Sequence, residues 1–131
     1  MLLNINLDKI ADLDFKTKEA YKTLRTNVQF CGENVKVVSL TSCVPNEGKS
    51  MVAFNLAVSM AESGKKVLFV DADLRKSVLI GRYKINKAIK GLTQYLSEVE
   101  ELDQVKYTTN VPCLDMILSG PVPPNPAELL D

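Results

Sequence analysis

A chain of 131 residues is long enough for one domain with a real core. Sixteen basic and sixteen acidic side chains cancel, so no basic excess points to nucleic acid, and the absence of histidine rules out His-based catalysis and His–metal ligation. Three cysteines (Cys31, Cys43, Cys113) without C-x-x-C spacing argue against zinc and for a reducing compartment. Met1-Leu2-Leu3 gives way at once to Asn4, Asn6 and Asp8, so no signal-peptide core is expected. The longest apolar stretch, residues 51–61, is interrupted by Asn55 and Ser59 and is too short to span a bilayer. These features together predict a cytosolic protein.

Asp14 is placed to cap a first helix over residues 15–30. Along it Ala20, Tyr21, Leu24 and Val28 are expected to share one face, with Glu19, Lys22 and Arg25 on the opposite side. Gly32-Glu33-Asn34 breaks that helix. A β-branched run at 35–41 predicts a strand, followed by a loop, a helix over 49–63 stopped by Gly64, and a second strand over 67–71. These pieces predict a right-handed βαβ unit. Its helix is apolar nearly all round, as expected of one covered on several sides. Residues 91–97 suggest a short helix, the acidic run 98–103 a solvated face, and residues 113–118 a third strand. The proline-rich stretch 121–126 cannot be regular structure. Asn125 can cap a helix that starts at Pro126.

Between the first strand and its helix lies Cys43-Val44-Pro45-Asn46-Glu47-Gly48-Lys49-Ser50. A loop in that position that ends Gly-Lys-Ser can turn successive backbone N–H groups inward as an anion nest, while the helix after it aims its positive dipole end at the same spot. Lys49 would supply a cation for the β- and γ-phosphates of a nucleotide, and the Ser50 hydroxyl a ligand for Mg²⁺. The full pattern G-x-x-x-x-G-K-[ST] is not met, because Cys43 stands where the first glycine belongs. The strand–loop–helix context is what lifts the short pattern above chance.

The second strand runs into Asp71-Ala72-Asp73, two carboxylates at the end where open α/β sheets bind ligands. Neighbouring like charges repel unless a cation lies between them. A nucleotide-borne Mg²⁺, a hard ion that seeks oxygen, fits that need. On its own the tripeptide would read as a solvated turn; one βαβ unit after a P-loop, it reads as a metal site.

Four blocks carry a resemblance to the bacterial tyrosine kinases that regulate capsule and exopolysaccharide synthesis. The segment from Thr41 to Ser50 resembles their P-loop, T-S-x-x-P-G-E-G-K-[ST]. The segment from Val67 to Arg75 resembles their second signature, apolar residues followed by D-x-D-x-R, the Walker A′ motif. Glu19-Ala20-Tyr21-Lys22-Thr23-Leu24-Arg25 is similar to their E-x-x-R-x-x-R element. The segment from Ser119 to Leu130 is similar to their G-x-x-P-P-N-P-x-E-L-L. Departures exist. Asn46 replaces the usual glycine, although asparagine tolerates φ > 0 better than other residues. Lys22 puts a point charge where a planar arginine fork belongs. Ser77 stands where proline is common. The sequence also ends at Asp131, before any segment resembling the Walker B strand or the tyrosine-rich tail.

What the resemblance implies is an α/β fold, a P-loop NTPase-like three-layer sandwich with a mostly parallel sheet whose C-terminal part is missing. Residues 1–131 would be a single, partial kinase domain, with an N-terminal helical oligomerisation element at 1–33 and a nucleotide-binding core at 35–131. The implied activity is ATP-dependent protein-tyrosine autophosphorylation that controls polysaccharide synthesis and export. Cys43, Val44, Pro45, Asn46, Glu47, Gly48, Lys49 and Ser50 would hold ATP, and Ser50, Asp71 and Asp73 would place Mg²⁺. Asp71 would take the tyrosine proton, with Lys49 stabilising the transferred phosphoryl group. Glu19, Lys22 and Arg25 would join subunits of a homo-oligomer. A membrane-embedded co-polymerase or activator would recruit the protein to the inner face of the membrane, and the substrates would be tyrosine-containing proteins, not nucleic acid. Three alternatives stand beside this one, of which a metabolic kinase on the same fold is disfavoured because nothing resembles a small-substrate lid. A ParA/MinD-like ATPase is disfavoured because Thr41, Ser42 and Cys43 offer no early lysine in the loop. A non-catalytic nucleotide-binding fragment is favoured by the missing Walker B strand.

Overall fold

The computed structural model describes residues 4, 5, 7, 13–40, 49–73 and 90–131, with the backbone alone at Asn4, Lys49 and Ser50. In chain order the elements are β1 (Asn4–Ile5), α1 (Phe15–Gln29), α2 (Lys49–Glu62), β2 (Val67–Val70), α3 (Leu92–Leu96), α4 (Leu102–Val105), β3 (Lys106–Thr109), β4 (Leu114–Ile117) and α5 (Pro126–Leu130). The four strands form one sheet in the order β1-β3-β4-β2. β1 pairs with β3 and β2 with β4 in parallel, while β3 and β4 run antiparallel. The protein is therefore α/β with a mixed, mostly parallel sheet.

The helix starts follow from local chemistry. Asp14 accepts the Thr17 N–H at 2.7 Å, satisfying one of the donors a helix N-terminus leaves orphaned. Those bonds favour the ionised carboxyl and hold its pKa below the usual value. Gly64, at φ +91°, ends α2 in the left-handed region that suits a residue without Cβ. Asn125 precedes α5 as expected, but its amide donates to Glu128 Oε2 at 3.2 Å instead of capping the backbone.

α2 lies along the sheet and supplies much of the core. Phe54, Ala57, Val58 and Ala61 pack against Phe69, Tyr107, Leu114 and Met116, and the rings of Phe54 and Phe69 meet edge to face with centroids 5.7 Å apart. Asn110 extends the β1–β3 pairing with its side-chain amide, accepting the Leu7 N–H at 2.9 Å and donating to the Leu7 carbonyl at 3.3 Å.

Three expectations need correction. Residues 35–40, read as a strand, join no ladder among the described residues, and Val35, Val37 and Val38 are exposed, Val37 at 84 %. β propensity describes fit to a pleated, half-buried surface, so a β-branched run becomes a strand only beside a partner. The expected βαβ unit is accordingly not formed through those residues. Second, the acidic run 98–103 is exposed as expected except at Glu100, which pairs with Lys90 at 2.7 Å, but it is not only a loop: α4 begins within it at Leu102 and leads straight into β3. Third, the packed face of α1 is Thr17, Tyr21, Arg25 and Val28, each half-buried, whereas Ala20 is exposed. Arg25 thus belongs to the side that meets α2, not to the opposite side with Glu19 and Lys22.

Candidate functional site

β2 leads into Asp71, and the short return from α2 through Gly64 makes the helix run antiparallel to that strand. The N-terminus of α2, which opens on Lys49 and Ser50, therefore lies at the same end of the sheet as Asp71 and Asp73. Asp71 is buried, and its N–H donates to the Ile117 carbonyl at 2.9 Å, continuing the β2–β4 ladder one residue past the strand. Its Oδ1 accepts the Asp73 N–H at 3.2 Å. That local turn fixes the two carboxylates at i and i+2, the geometry in which aspartate replaces a backbone turn contact. Asp73 is half-buried. Two acids at a strand's carboxyl end, beside a helix N-terminus, suit a divalent cation carried by a polyphosphate. Among the described residues there is no group of three or more Cys, Asp or Glu side chains that would hold a metal ion by itself.

The predicted loop residues Cys43, Val44, Pro45, Asn46, Glu47 and Gly48 lie outside the described residues, as do Arg75 and Ser77. Lys49 and Ser50 occupy the first two positions of α2.

Sequence reading did not anticipate the wall beside this strand end. The segment after β4 passes through Leu118, Ser119 and Gly120, and α3 opens against it. Leu92 N–H donates to the Leu118 carbonyl at 2.6 Å and Thr93 N–H to the Ser119 carbonyl at 3.1 Å, so loop oxygens satisfy the first donors of α3. Gly91 N–H donates to Gln94 Oε1 at 2.6 Å. Tyr107 reaches the same corner, its hydroxyl donating to the Lys90 carbonyl at 2.8 Å; burial raises its pKa, and the phenol stays protonated. The repeated Gly and Ser around 91 and 119–120 were the available signal, since backbone-to-backbone contact needs small residues.

Thr93 is buried, and its Oγ1 has no hydrogen-bond partner among the described residues. Valine has the same shape without the polar atom. Thr93→Val should leave stability unchanged or raise it by up to about 1 kcal/mol, because an unpaired buried hydroxyl is itself a penalty. A clear fall in melting temperature would reveal a partner for the hydroxyl.

At the far end of α2 the chain builds a second polar contact. Tyr21 Oη accepts from Asn55 Nδ2 at 3.4 Å, and one turn further along both helices Arg25 Nη1 donates to the Ser59 carbonyl at 2.7 Å and lies 3.3 Å from Ser59 Oγ. Glu19 and Lys22 face outward as an exposed pair at 3.2 Å, with Phe15 (79 % exposed) and Phe30 (82 %) near the two ends of the same helix. An exposed i,i+3 pair contributes only tenths of a kcal/mol.

Residues 39–118 match the CobQ/CobB/MinD/ParA nucleotide binding domain. The chain belongs to that nucleotide-binding family. Its relatives are more particular. It is 47 % identical over 115 residues to the tyrosine-protein kinase CpsD of Streptococcus agalactiae, covering 88 % of this chain and 50 % of that protein. It is 46 % identical over 114 residues to the tyrosine-protein kinase YwqD of Bacillus subtilis, covering 86 % and 48 %. Among solved structures the BceF tyrosine kinase domain superposes with a TM-score of 0.78 at 40 % identity, covering 87 % of this chain and 46 % of that one. The fold is thus that of the P-loop kinase domains, and the chain spans about half the length of the curated relatives it matches.

Proposed function

We propose that this chain is the nucleotide-binding part of a protein-tyrosine kinase that uses Mg·ATP, phosphorylates tyrosines on copies of itself and on other proteins, and regulates the synthesis and export of capsular or extracellular polysaccharide. The observation that carries the reading is the Asp71–Asp73 turn at the carboxyl end of β2, level with the helix start at Lys49 and Ser50. The kinase relatives support it.

ATP supplies the phosphoryl group and Mg²⁺ neutralises its charge. Cys43, Val44, Pro45, Asn46, Glu47 and Gly48 form the phosphate-binding loop, Lys49 adds a cation at the helix start, and Ser50 and Asp73 hold the metal. Asp71 accepts the proton of the incoming tyrosine hydroxyl. A phenol with a pKa near 10 gains from such a base, modestly if the transition state is loose. The outward face of α1, with Glu19, Lys22 and the exposed rings of Phe15 and Phe30, is the surface proposed for self-contact. No helix among the described residues is long and apolar enough to cross a membrane. By resemblance to the capsule-system kinases, the reading includes a cytoplasmic location and a separate membrane-embedded activator.

The test separates the two acids. In the gene product that carries this chain, Asp71→Asn should lower phosphotyrosine formation at least about tenfold with ATP affinity nearly intact, whereas Asp73→Asn should raise the Mg²⁺ concentration needed for activity. Radiolabelled ATP and phosphotyrosine detection report both. Wild-type turnover in either variant removes the role given to that residue. ATP hydrolysis without phosphotyrosine in the unmodified protein would favour a ParA/MinD-like ATPase.

A further inference from the structure

We propose that Arg25 is a positioning residue for nucleotide binding: from α1 it grips the carboxyl end of the phosphate-binding helix α2 within the same chain. This rests on the nucleotide-binding reading above and adds a residue to it. In the last turn of α2 the Ser59 carbonyl already accepts the Ser63 N–H at 3.3 Å, but the helix carries no basic residue there to oppose the negative end of its dipole. Arg25 adds a second, charged donor to that carbonyl from outside the helix. Its Nη1 lies 2.7 Å from the Ser59 carbonyl oxygen and 3.3 Å from Ser59 Oγ, in a half-buried contact where solvent screens less than on the open surface.

The contact is not isolated. The Tyr21–Asn55 bond sits one turn earlier on both helices, so the two polar contacts fix the rotation of α2 about its axis as well as its height. α2 has 14 residues and therefore spans about 21 Å, as a single rigid rod with Lys49 at its other end. A small tilt or rotation allowed at Ser59 is carried to Lys49 and Ser50, where misplacement of the order of 1 Å already weakens a phosphate site. The planar guanidinium matters here. One nitrogen can address a carbonyl and a hydroxyl in a fixed plane, which the flexible ammonium of a lysine does less well.

The experiment compares the wild-type chain with Arg25→Gln, Arg25→Lys and Ser59→Ala. Affinity for Mg²⁺ and a non-hydrolysable ATP analogue is measured by calorimetry at a concentration where sedimentation shows every variant as a monomer. Hydrogen exchange of the nucleotide-free proteins gives a readout that needs no ligand. Arg25→Gln should weaken binding about tenfold and speed exchange at the amides of residues 53–57, well away from the lost contact; Arg25→Lys should recover part of both, and Ser59→Ala, which keeps the carbonyl, should stay within about twofold of wild type. Faster exchange confined to residues 59–63, with wild-type affinity, would make Arg25 a local cap and overturn the proposal. So would unchanged affinity together with weakened self-association at higher concentration, the result expected of a residue that acts only between subunits. If wild type binds no nucleotide while Arg25→Gln still loosens residues 53–57, the grip on α2 stands and the nucleotide reading falls.

Discussion

A Lys49→Ala variant is expected to lose more than about a hundredfold in affinity for Mg·ATP, with little change in melting temperature. The ammonium at the first position of α2 would add a charge-assisted contact to phosphate oxygens where backbone donors and the helix dipole already converge. Removing one fixed positive group from a semi-enclosed anion site typically forfeits about 3 kcal/mol, which corresponds to that factor. Stability should hardly respond, since alanine is a better helix former than lysine. Lys49→Met, which keeps the length of the side chain and drops its charge, should behave like Lys49→Ala. Calorimetric titration of the two variants beside wild type decides the point. Equal ATP affinity would remove Lys49 from the site and leave the backbone nest alone to bind phosphate.

The parts of this fold that could be read from sequence are those set by chemistry within a few residues. Asp14 caps α1 through Thr17, Gly64 stops α2, and the apolar run before Asp71 forms the strand that presents that carboxylate. Each depends on a side chain and its immediate neighbours. What sequence did not show depends on partners far along the chain. β1 is two residues long, too short for any period, and is recognisable only because Thr108 and Thr109 lie opposite it. β3 is largely polar and follows α4 without a turn, so no punctuation marks its start. Residues 35–40 have the composition of a strand but join no ladder among the described residues.

The orientation of α1 offers the sharper lesson. Hydrophobic periodicity placed Ala20 and Leu24 on the inner face, yet Arg25 points inward because α2 offers it a carbonyl and a hydroxyl. A signal for this existed. Asn55 and Ser59, spaced i,i+4, are the polar interruptions in the otherwise apolar run 51–61, and a polar pair at that spacing on a covered helix calls for polar partners on its neighbour. Tyr21 and Arg25, also four apart, provide them. At the proposed catalytic end, the position of Asp71 and Asp73 just past a strand was legible from the apolar run before them, whereas the role proposed for them leaned on the P-loop pattern upstream. The supporting corner of Gly91, Thr93 and Gly120 was not, since close backbone packing leaves only small residues as its trace.

That corner carries the largest expected loss of stability. A Cβ on Gly91 would fall 2.5 Å from the Leu118 carbonyl oxygen and 2.6 Å from the Gly120 Cα, and closer still to the Gly120 nitrogen. All three are backbone atoms, so no side chain can swing aside. The main chain itself must separate, and with it the bonds from Leu92 and Thr93 to the Leu118 and Ser119 carbonyls. Gly91→Ala should therefore destabilise the protein by about 3 kcal/mol or more, a fall of roughly 10 °C in melting temperature for a chain of this size. Gly32→Ala is the matched control. That glycine sits at φ +121° with nothing within 4 Å of the position a Cβ would take, so only backbone strain of about 1–2 kcal/mol applies. The loosened segment also flanks the end of β2 that presents Asp71, so whatever folded Gly91→Ala protein remains should bind Mg·ATP more weakly than Gly32→Ala. Thermal melts of the two variants under one buffer settle the matter: a Gly91→Ala midpoint no lower than that of Gly32→Ala would show that α3 and the segment after β4 can part without loss, and that their close approach does not hold this end of the sheet together.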